Sequence, residues 1–369
     1  MRRIDQQQQA MIAGLVAELG PAVSEAALEK DCHVSAALRA LAKINHPAFE
    51  FVFCGGSCLS KSYGIVERLS EDVDIKVIKK KGSPPLSKGP LKKALSDLKA
   101  KVRQALIEEG FDAEQFENDF KAEGKQFETI QARDENRYIV FNIRYDGLFK
   151  PSPQLRSRIQ IELNFTEIAL PAQKRDAVLL IDRLAGKAQP DAVSLKTADL
   201  KETAVEKLLS FSRRVAMHLR SVEANPHNPE KQRELDHTLV RHIYDIHEIE
   251  RVEPSTFSPP KLISDLMADA IKRDAKDFLN QHPQFAEAPV KELHYAIEAV
   301  KKSPEFEANF NSFVAEMVYS ASKPDFAAAF ATFEKQLNAA CAAHQELGFA
   351  HLVEAKKAAE ASSGPVLGM

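Results

Sequence analysis

Residues 51–78 restrict this chain to few folds. Phe51-Val52-Phe53-Cys54 belongs to an apolar strand, residues 49–54, that runs into a Gly55-Gly56-Ser57 turn. A short helix follows, and then a second strand, Asp72-Val73-Asp74-Ile75-Lys76-Val77-Ile78. Side chains two apart on a strand share a face. Asp72 and Asp74 therefore project together, while Val73, Ile75 and Val77 turn to the core. Two convergent carboxylates beside a turn that can hold phosphate oxygens suit metal-dependent phosphoryl or nucleotidyl transfer.

The rest of the chain sets the frame. Its 369 residues suit two or three domains, and 44% hydrophobic with 28% charged residues is a soluble, globular composition. No apolar run reaches the ~20 residues of a membrane helix, and the four-Gln run after Met1-Arg2-Arg3-Ile4-Asp5 leaves no signal-peptide core. A cytoplasmic protein with no membrane partner is expected. Cys32, Cys54, Cys58 and Cys341 form no Cys-x-x-Cys pair and are expected to be buried, reduced thiols. A net charge of −3 excludes a general polyanion binder. Lys76, Lys79, Lys80, Lys81, Lys88, Lys92, Lys93, Lys99, Lys101 and Arg103 nevertheless share their stretch with one acid, Asp97. That stretch is either a solvated face or a landing surface for nucleic acid.

Apolar spacing predicts helices over residues 6–45 with a break at Gly20-Pro21, and a helix from Leu91 to Glu109 closed by Gly110. Residues 137–146 alternate as a strand. In the next strand, Arg158 to Phe165, the odd positions are apolar and Gln160, Glu162 and Asn164 share the other face. Glu162 is thus placed to complete an acidic cluster with Asp72 and Asp74. From about Leu195 the pattern is helical: one helix to about Leu219, an Asn225–Pro229 linker, and a second helix over 230–252. In that second helix Arg241 and Asp245 are i,i+4 neighbours. Residues 261–360 read as Ala-rich helices and 362–369 as a flexible tail.

This arrangement implies a concrete chemistry. Mg²⁺ takes one or two carboxylates plus substrate phosphates, and two such ions about 4 Å apart activate an attacking hydroxyl and neutralise the leaving pyrophosphate. Asp72, Asp74 and Glu162 are the expected metal ligands for Mg²⁺ or Mn²⁺. Gly55 and Gly56 remove side chains that would block a triphosphate from the backbone, Ser57 adds a hydroxyl, and Lys61 and Arg68 balance phosphate charge. One rival is a P-loop, since Gly55 to Ser62 is one substitution from that pattern. Ser60 stands where the loop needs its second glycine, and the Asp pair follows too soon after the helix.

The run Gly55-Gly56-Ser57-Cys58-Leu59-Ser60-Lys61, followed by Arg68-Leu69-Ser70-Glu71-Asp72-Val73-Asp74, resembles the first two motifs of the AbiEii-type nucleotidyltransferase toxins, within the polymerase-beta-like superfamily. Glu206-Lys207-Leu208 and Arg241-His242-Ile243-Tyr244-Asp245-Ile246 resemble two further motifs. Ser57 replaces the usual Thr, and His242 replaces an Asp. The resemblance implies that Lys207 contacts the nucleotide and that Asp245 is a further catalytic or structural acid. It also implies an NTP as substrate, the tRNA 3′ end as acceptor, growth arrest and phage defence as outcomes, and a cognate antitoxin.

The expected fold is α+β. An N-terminal helical segment (1–45) precedes a nucleotidyltransferase core of mixed sheet and flanking helices (46–195), a helical C-terminal domain (196–361) and the tail (362–369). Two other uses of the chain stay open at this point: nucleotidylation of a protein or small molecule, and a non-catalytic nucleotide- or partner-binding module.

Overall fold

Alternation of apolar and polar residues marks the longer strands, and the computed structural model places nine strands among the described residues. It describes residues 1–20, 23–122, 124–150, 155–186 and 192–362. Pro21 of the expected break and residues 363–369 of the expected tail lie outside these. No helix among the described residues is long and apolar enough to cross a membrane. The chain divides into two compact units, Met1–Asp199 with Glu316–Ala321, and Leu200–Ala315 with Ser322–Met369.

In the first unit the strands are β1 (Phe49–Cys54), β2 (Asp72–Lys79), β3 (Phe120–Ala122), β4 (Lys125–Phe127), β5 (Ile130–Arg133), β6 (Tyr138–Arg144), β7 (Arg158–Phe165), β8 (Gln173–Ala177) and β9 (Val193–Thr197). Seven form one mixed sheet in the order β5-β6-β7-β2-β1-β9-β8, and β3-β4 is a separate hairpin. β2 runs antiparallel to β1 and parallel to β7, with Asp72 opposite Gln160 and Asp74 opposite both Glu162 and Cys54. One face of the sheet is apolar. Val73, Ile75 and Val77 join Ile159, Ile161 and Leu163 and pack under Leu38 and Leu41 of one helix and Leu91, Leu95, Leu98 and Val102 of another. The strand boundaries expected for 49–54, 72–78 and 158–165 match β1, β2 and β7 within a residue. β3, β4, β5, β8 and β9 had no counterpart in the sequence reading. Each has 5 residues or fewer, too short for alternation to stand out.

The helices of this unit are α1 (Gln6–Leu19), α2 (Glu25–Ala42), α3 (Gly55–Cys58), α4 (Lys88–Glu108) and α5 (Leu180–Leu184). Asp5 and Gln8 close a reciprocal capping box at the start of α1, and Ser24 Oγ caps α2 by accepting from Ala27 N at 3.3 Å. An amphipathic helix would turn its charges to water, but α2 is buried on all sides from Ala26 to Leu38. Its run Glu29-Lys30-Asp31 is met by partners on four other segments. Glu29 accepts from the backbone N–H groups of Leu148 (2.8 Å) and Phe149 (3.1 Å). Lys30 Nζ donates to Glu71 Oε1 at 2.5 Å and to the Arg156 carbonyl at 2.7 Å. Asp31 holds Lys61 Nζ at 2.6 Å and accepts from Leu180 N at 2.8 Å. Glu316–Ala321 also belongs to this unit. Leu69 N donates to Met317 O (2.9 Å) and Tyr319 N to Glu67 O (3.0 Å), which bridges Arg68 and Val318.

The second unit is helical: α6 (Leu200–Ala224), α7 (Arg241–Val252), α8 (Pro260–Asp277), α9 (Pro283–Glu287), α10 (Pro289–Lys302), α11 (Pro304–Met317, whose last two residues belong to the first unit), α12 (Phe326–Cys341) and α13 (Ala350–Ser362). Phe211 is fully buried, 5.0 Å from the Phe333 ring and 6.1 Å from that of Phe306, in edge-to-face pairs. The expected helix over 230–252 begins later, at Arg241. Asp236 accepts from Thr238 N at 3.0 Å and starts a separate 3₁₀ turn, His237–Val240, before it.

Two outcomes follow from the buried charges of α2. Lys30→Met leaves Glu71 as a buried carboxylate without its cation, so the urea midpoint should fall by the equivalent of about 3–5 kcal/mol. His33 stacks on Tyr145 at 4.3 Å and accepts from Arg2 at 2.8 Å. Burial, and secondly the Arg2 charge, push its pKa from 6.5 down to about 3. A depressed folded-state pKa means the neutral ring stabilises fully above pH 6.5, and this contribution is lost as pH falls toward 3. Urea titrations of His33→Phe across pH 7 to 4 should show a shallower loss of stability than the wild type.

Candidate active site

The glycine turn is shaped by what stands against it. Gly55 has φ +73°, in the left-handed region, and a Cβ there would overlap the Asp74 carboxylate. A Cβ on Gly56 would overlap the Arg68 guanidinium. The room left by the two glycines is thus filled by the protein's own side chains. Ser57 is fully buried; its hydroxyl donates to the Asp72 carbonyl and lies 2.7 Å from Ser70 Oγ. Its contacts therefore pin the turn to the start of β2. After α3 the chain tightens into a π-helical turn, Leu59–Tyr63, ended by Gly64 at φ +67°. Lys61 points inward from that turn, 3% exposed, to Asp31 and to Ser35 Oγ at 2.8 Å. Arg68 is equally buried, with Nη1 donating to Leu69 O at 3.0 Å.

Parity puts Asp72, Asp74, Gln160 and Glu162 on the face opposite the apolar core. All four are partly exposed. Asp72 and Glu162 each have a partner there. Arg156 Nη1 holds Asp72 Oδ1 at 2.7 Å. Glu162 accepts from Tyr138 OH at 2.8 Å and from Gln160 Nε2 at 2.5 Å. Burial, followed by the charges of Glu162 and Asp74, pushes the Tyr138 phenol well above its usual range, so it stays a donor. Among the described residues no three His, Cys, Asp or Glu side chains are grouped so as to hold a metal ion. The three acids expected at one ion are on a common face, but Glu162 is turned to Tyr138 and Gln160, and Asp72 to Arg156. Arg156 was missed in the sequence. It lies two residues before β7, outside the alternating pattern of the strand.

In the helical unit, Lys207 of α6 and Asp245 of α7 meet at 2.7 Å, 8% and 0% exposed. The charged side of α7 thus carries a buried pair, and Glu248 beside it is fully buried and held by Arg251 at 2.5 Å. His242 Nδ1 lies 3.1 Å from the Lys207 carbonyl. A carbonyl only accepts, so Nδ1 carries the proton. Burial, and then the Lys207 charge, push the His242 pKa down to about 3, so it is neutral at pH 7.

The basic stretch divides in space. Lys76 is buried in β2, whereas Lys79, Lys81, Lys88, Lys92, Lys93 and Lys101 are exposed. Leu91, Leu95, Leu98 and Val102 pack α4 on the apolar face of the sheet. The lysines of α4 therefore look away from the carboxylates, whereas Lys76, in step with Asp72 and Asp74 on β2, is on their face.

A family model described as nucleotidyl transferase AbiEii toxin, type IV TA system, matches residues 37–332. Among solved structures, the chain is similar to MenT4, a nucleotidyltransferase toxin from Mycobacterium tuberculosis H37Rv. The two share 16% identity over 90% of this chain and 89% of that one, with a TM-score of 0.51. At that identity the likeness concerns the fold. No curated protein matches the chain.

Gly55→Ala tests the turn. Left-handed strain alone costs about 1–3 kcal/mol, and displacement of the Asp74 carboxylate adds to it. Gly186→Ala, also at positive φ (+59°) but with nothing within 4 Å of its Cβ, is the control. Urea midpoints should place Gly55→Ala below Gly186→Ala.

Proposed function

The chain belongs to the AbiEii family of nucleotidyltransferase toxins of type IV toxin–antitoxin systems, and from that premise we propose how its residues divide the reaction. An NTP substrate and an antitoxin partner come with the family. The reading proposed for this chain is transfer of a nucleoside monophosphate from an NTP to the tRNA 3′ end, with release of pyrophosphate and arrest of growth.

The observation that carries it is the pairing register. Asp72 and Asp74 lie two apart on β2 and share a partly exposed face with Glu162, which is opposite Asp74 on β7. The two carboxylates of Asp72 and Asp74 offer hard oxygens that fit Mg²⁺ or Mn²⁺, which draw the rest of their shell from phosphates and water. Asp72 and Asp74 would hold the ion, which when bound supplies charge neutralisation at the triphosphate and activation of the acceptor hydroxyl. Glu162, oriented by Tyr138 and Gln160, adds a third negative charge beside Asp74. Gly55, Gly56 and Ser57 set the approach of the turn to β2. Lys61 and Arg68 act on the nucleotide through the shape of that turn, each being fixed within the protein. Lys207 contacts the nucleotide, and Asp245 holds its ammonium in place.

Incubating the purified protein with each labelled NTP and Mg²⁺, beside total RNA or total protein, tests the reading. Label is expected in tRNA-sized RNA. Asp74→Ala should lower incorporation more than about 100-fold, as the loss of several kcal/mol of charge stabilisation requires. Expression should arrest growth, and Asp74→Ala or Lys207→Ala should relieve it. Label in protein alone would replace the RNA acceptor with a protein hydroxyl. Equal inertness of wild type and Asp74→Ala toward every acceptor would leave a binding module.

A further inference from the structure

Asp72 already has a cation. The Arg156 guanidinium holds its Oδ1 at 2.7 Å, and the two side chains are 26% and 21% exposed. The backbone of Arg156 is anchored separately from its side chain. Its N–H donates to Glu71 Oε1 at 2.7 Å, and its carbonyl accepts from Lys30 Nζ at 2.7 Å. Lys30 and Glu71 are themselves a buried pair at 2.5 Å. Glu71 directly precedes β2 and is buried against Lys30, whereas Asp72 is partly exposed, and residue 156 reaches both, the first through its backbone and the second through its side chain. The four groups, Lys30⁺, Glu71⁻, Arg156⁺ and Asp72⁻, balance without any bound ion.

A guanidinium does not lose its proton in proteins. Arg156 can leave Asp72 only by moving, and its partly exposed, flexible side chain allows this while its backbone stays clamped. Resting on the reading above that Asp72 and Asp74 take a divalent ion, we propose that Arg156 is the resident countercharge of Asp72 and that the ion must exchange with it. Arg156 thereby sets the ion's apparent affinity. It neutralises one of two carboxylates that would otherwise repel each other in the unloaded protein, and it raises the ion concentration at which the site fills. It is a positioning residue; the clamp formed by Lys30 and Glu71 keeps it within reach of Asp72 throughout.

The test is Mn²⁺ binding to the full chain without nucleotide, followed by calorimetry. Arg156→Gln removes the competitor. Its dissociation constant for Mn²⁺ should fall about tenfold, the worth of one charge-assisted hydrogen bond. Arg156→Lys, which keeps a charge but not the planar fork, should lie between Arg156→Gln and wild type, and remains informative if Arg156→Gln folds poorly. In turnover, half-saturating Mg²⁺ should fall in step while KM for the NTP holds. Asp74→Asn separates the two levels of the claim. If it leaves Mn²⁺ binding unchanged, the ion does not sit at these carboxylates and the site reading fails. If Asp74→Asn weakens binding while Arg156→Gln and Arg156→Lys match wild type or bind more weakly, the exchange is overturned and the site reading stands. A raised NTP KM in Arg156→Gln at unchanged Mg²⁺ dependence would likewise overturn it, making Arg156 a nucleotide ligand.

Discussion

The parallel register of β2 against β7 is the constraint on which the site depends. Shifted by one residue, every side chain on β2 would change face. Glu71 would then meet water, and Asp72 and Asp74 would enter the apolar core with Ile161 and Leu163. The core alone resists that slip. The buried Lys30–Glu71 pair adds a polar lock, because a carboxylate moved off a buried ammonium leaves two uncompensated charges. A pair that adds little net stability over an apolar isostere can still select one register over its neighbour. The rest of the acidic face then follows from the pleat.

The turn before β2 shows the same economy of cause. Gly55 is required by its own positive φ and by the Asp74 carboxylate that stands where a Cβ would be. Ser57 ties the turn to the Asp72 backbone. One segment thus holds both carboxylate residues, the first by its main chain and the second by the space the glycine leaves. The π-helical turn that follows directs Lys61 inward to Asp31. The turn is therefore fastened to α2 as well as to β2, and no part of it hangs as a free loop.

Much of this was legible in the sequence, and the missing parts share a cause. Periodicity located β1, β2 and β7 and put Asp72, Asp74 and Glu162 on one face, because strand parity is a local property. Local patterns say nothing about what a polar side chain touches at long range. Glu29, Lys30 and Asp31 lie in a segment read simply as helix, and each has its partner more than 25 residues away. Lys61 read as a phosphate ligand because its position in the motif was visible and Asp31 was not connected to it. The pairing of residues 67–69 with 317–319 crosses most of the chain and has no signature at either end. Asp245 was read beside Arg241, its i,i+4 neighbour, while the contact of its carboxylate with Lys207, 38 positions earlier, had no local signal.

The replacements within the motifs also make physical sense once the contacts are known. Ser57 stands where the family it resembles carries Thr. The hydroxyl is what reaches the Asp72 carbonyl, and the lost methyl is in a buried turn beside Gly56, so the exchange keeps the function of the position. His242 stands where an Asp is usual. An acid there would approach Asp245 and the Lys207 carbonyl, both negative in sign, and would rely on Lys207 to offset them. A neutral His instead donates from Nδ1 to that carbonyl and leaves the Lys207 ammonium paired with Asp245. The motif's chemistry thus depends less on its spelling than on one buried lysine–aspartate contact. The same holds for the N-terminal helix. Glu29, Lys30 and Asp31 precede residue 37, where the family match begins, and they hold the segments that carry the matched motifs.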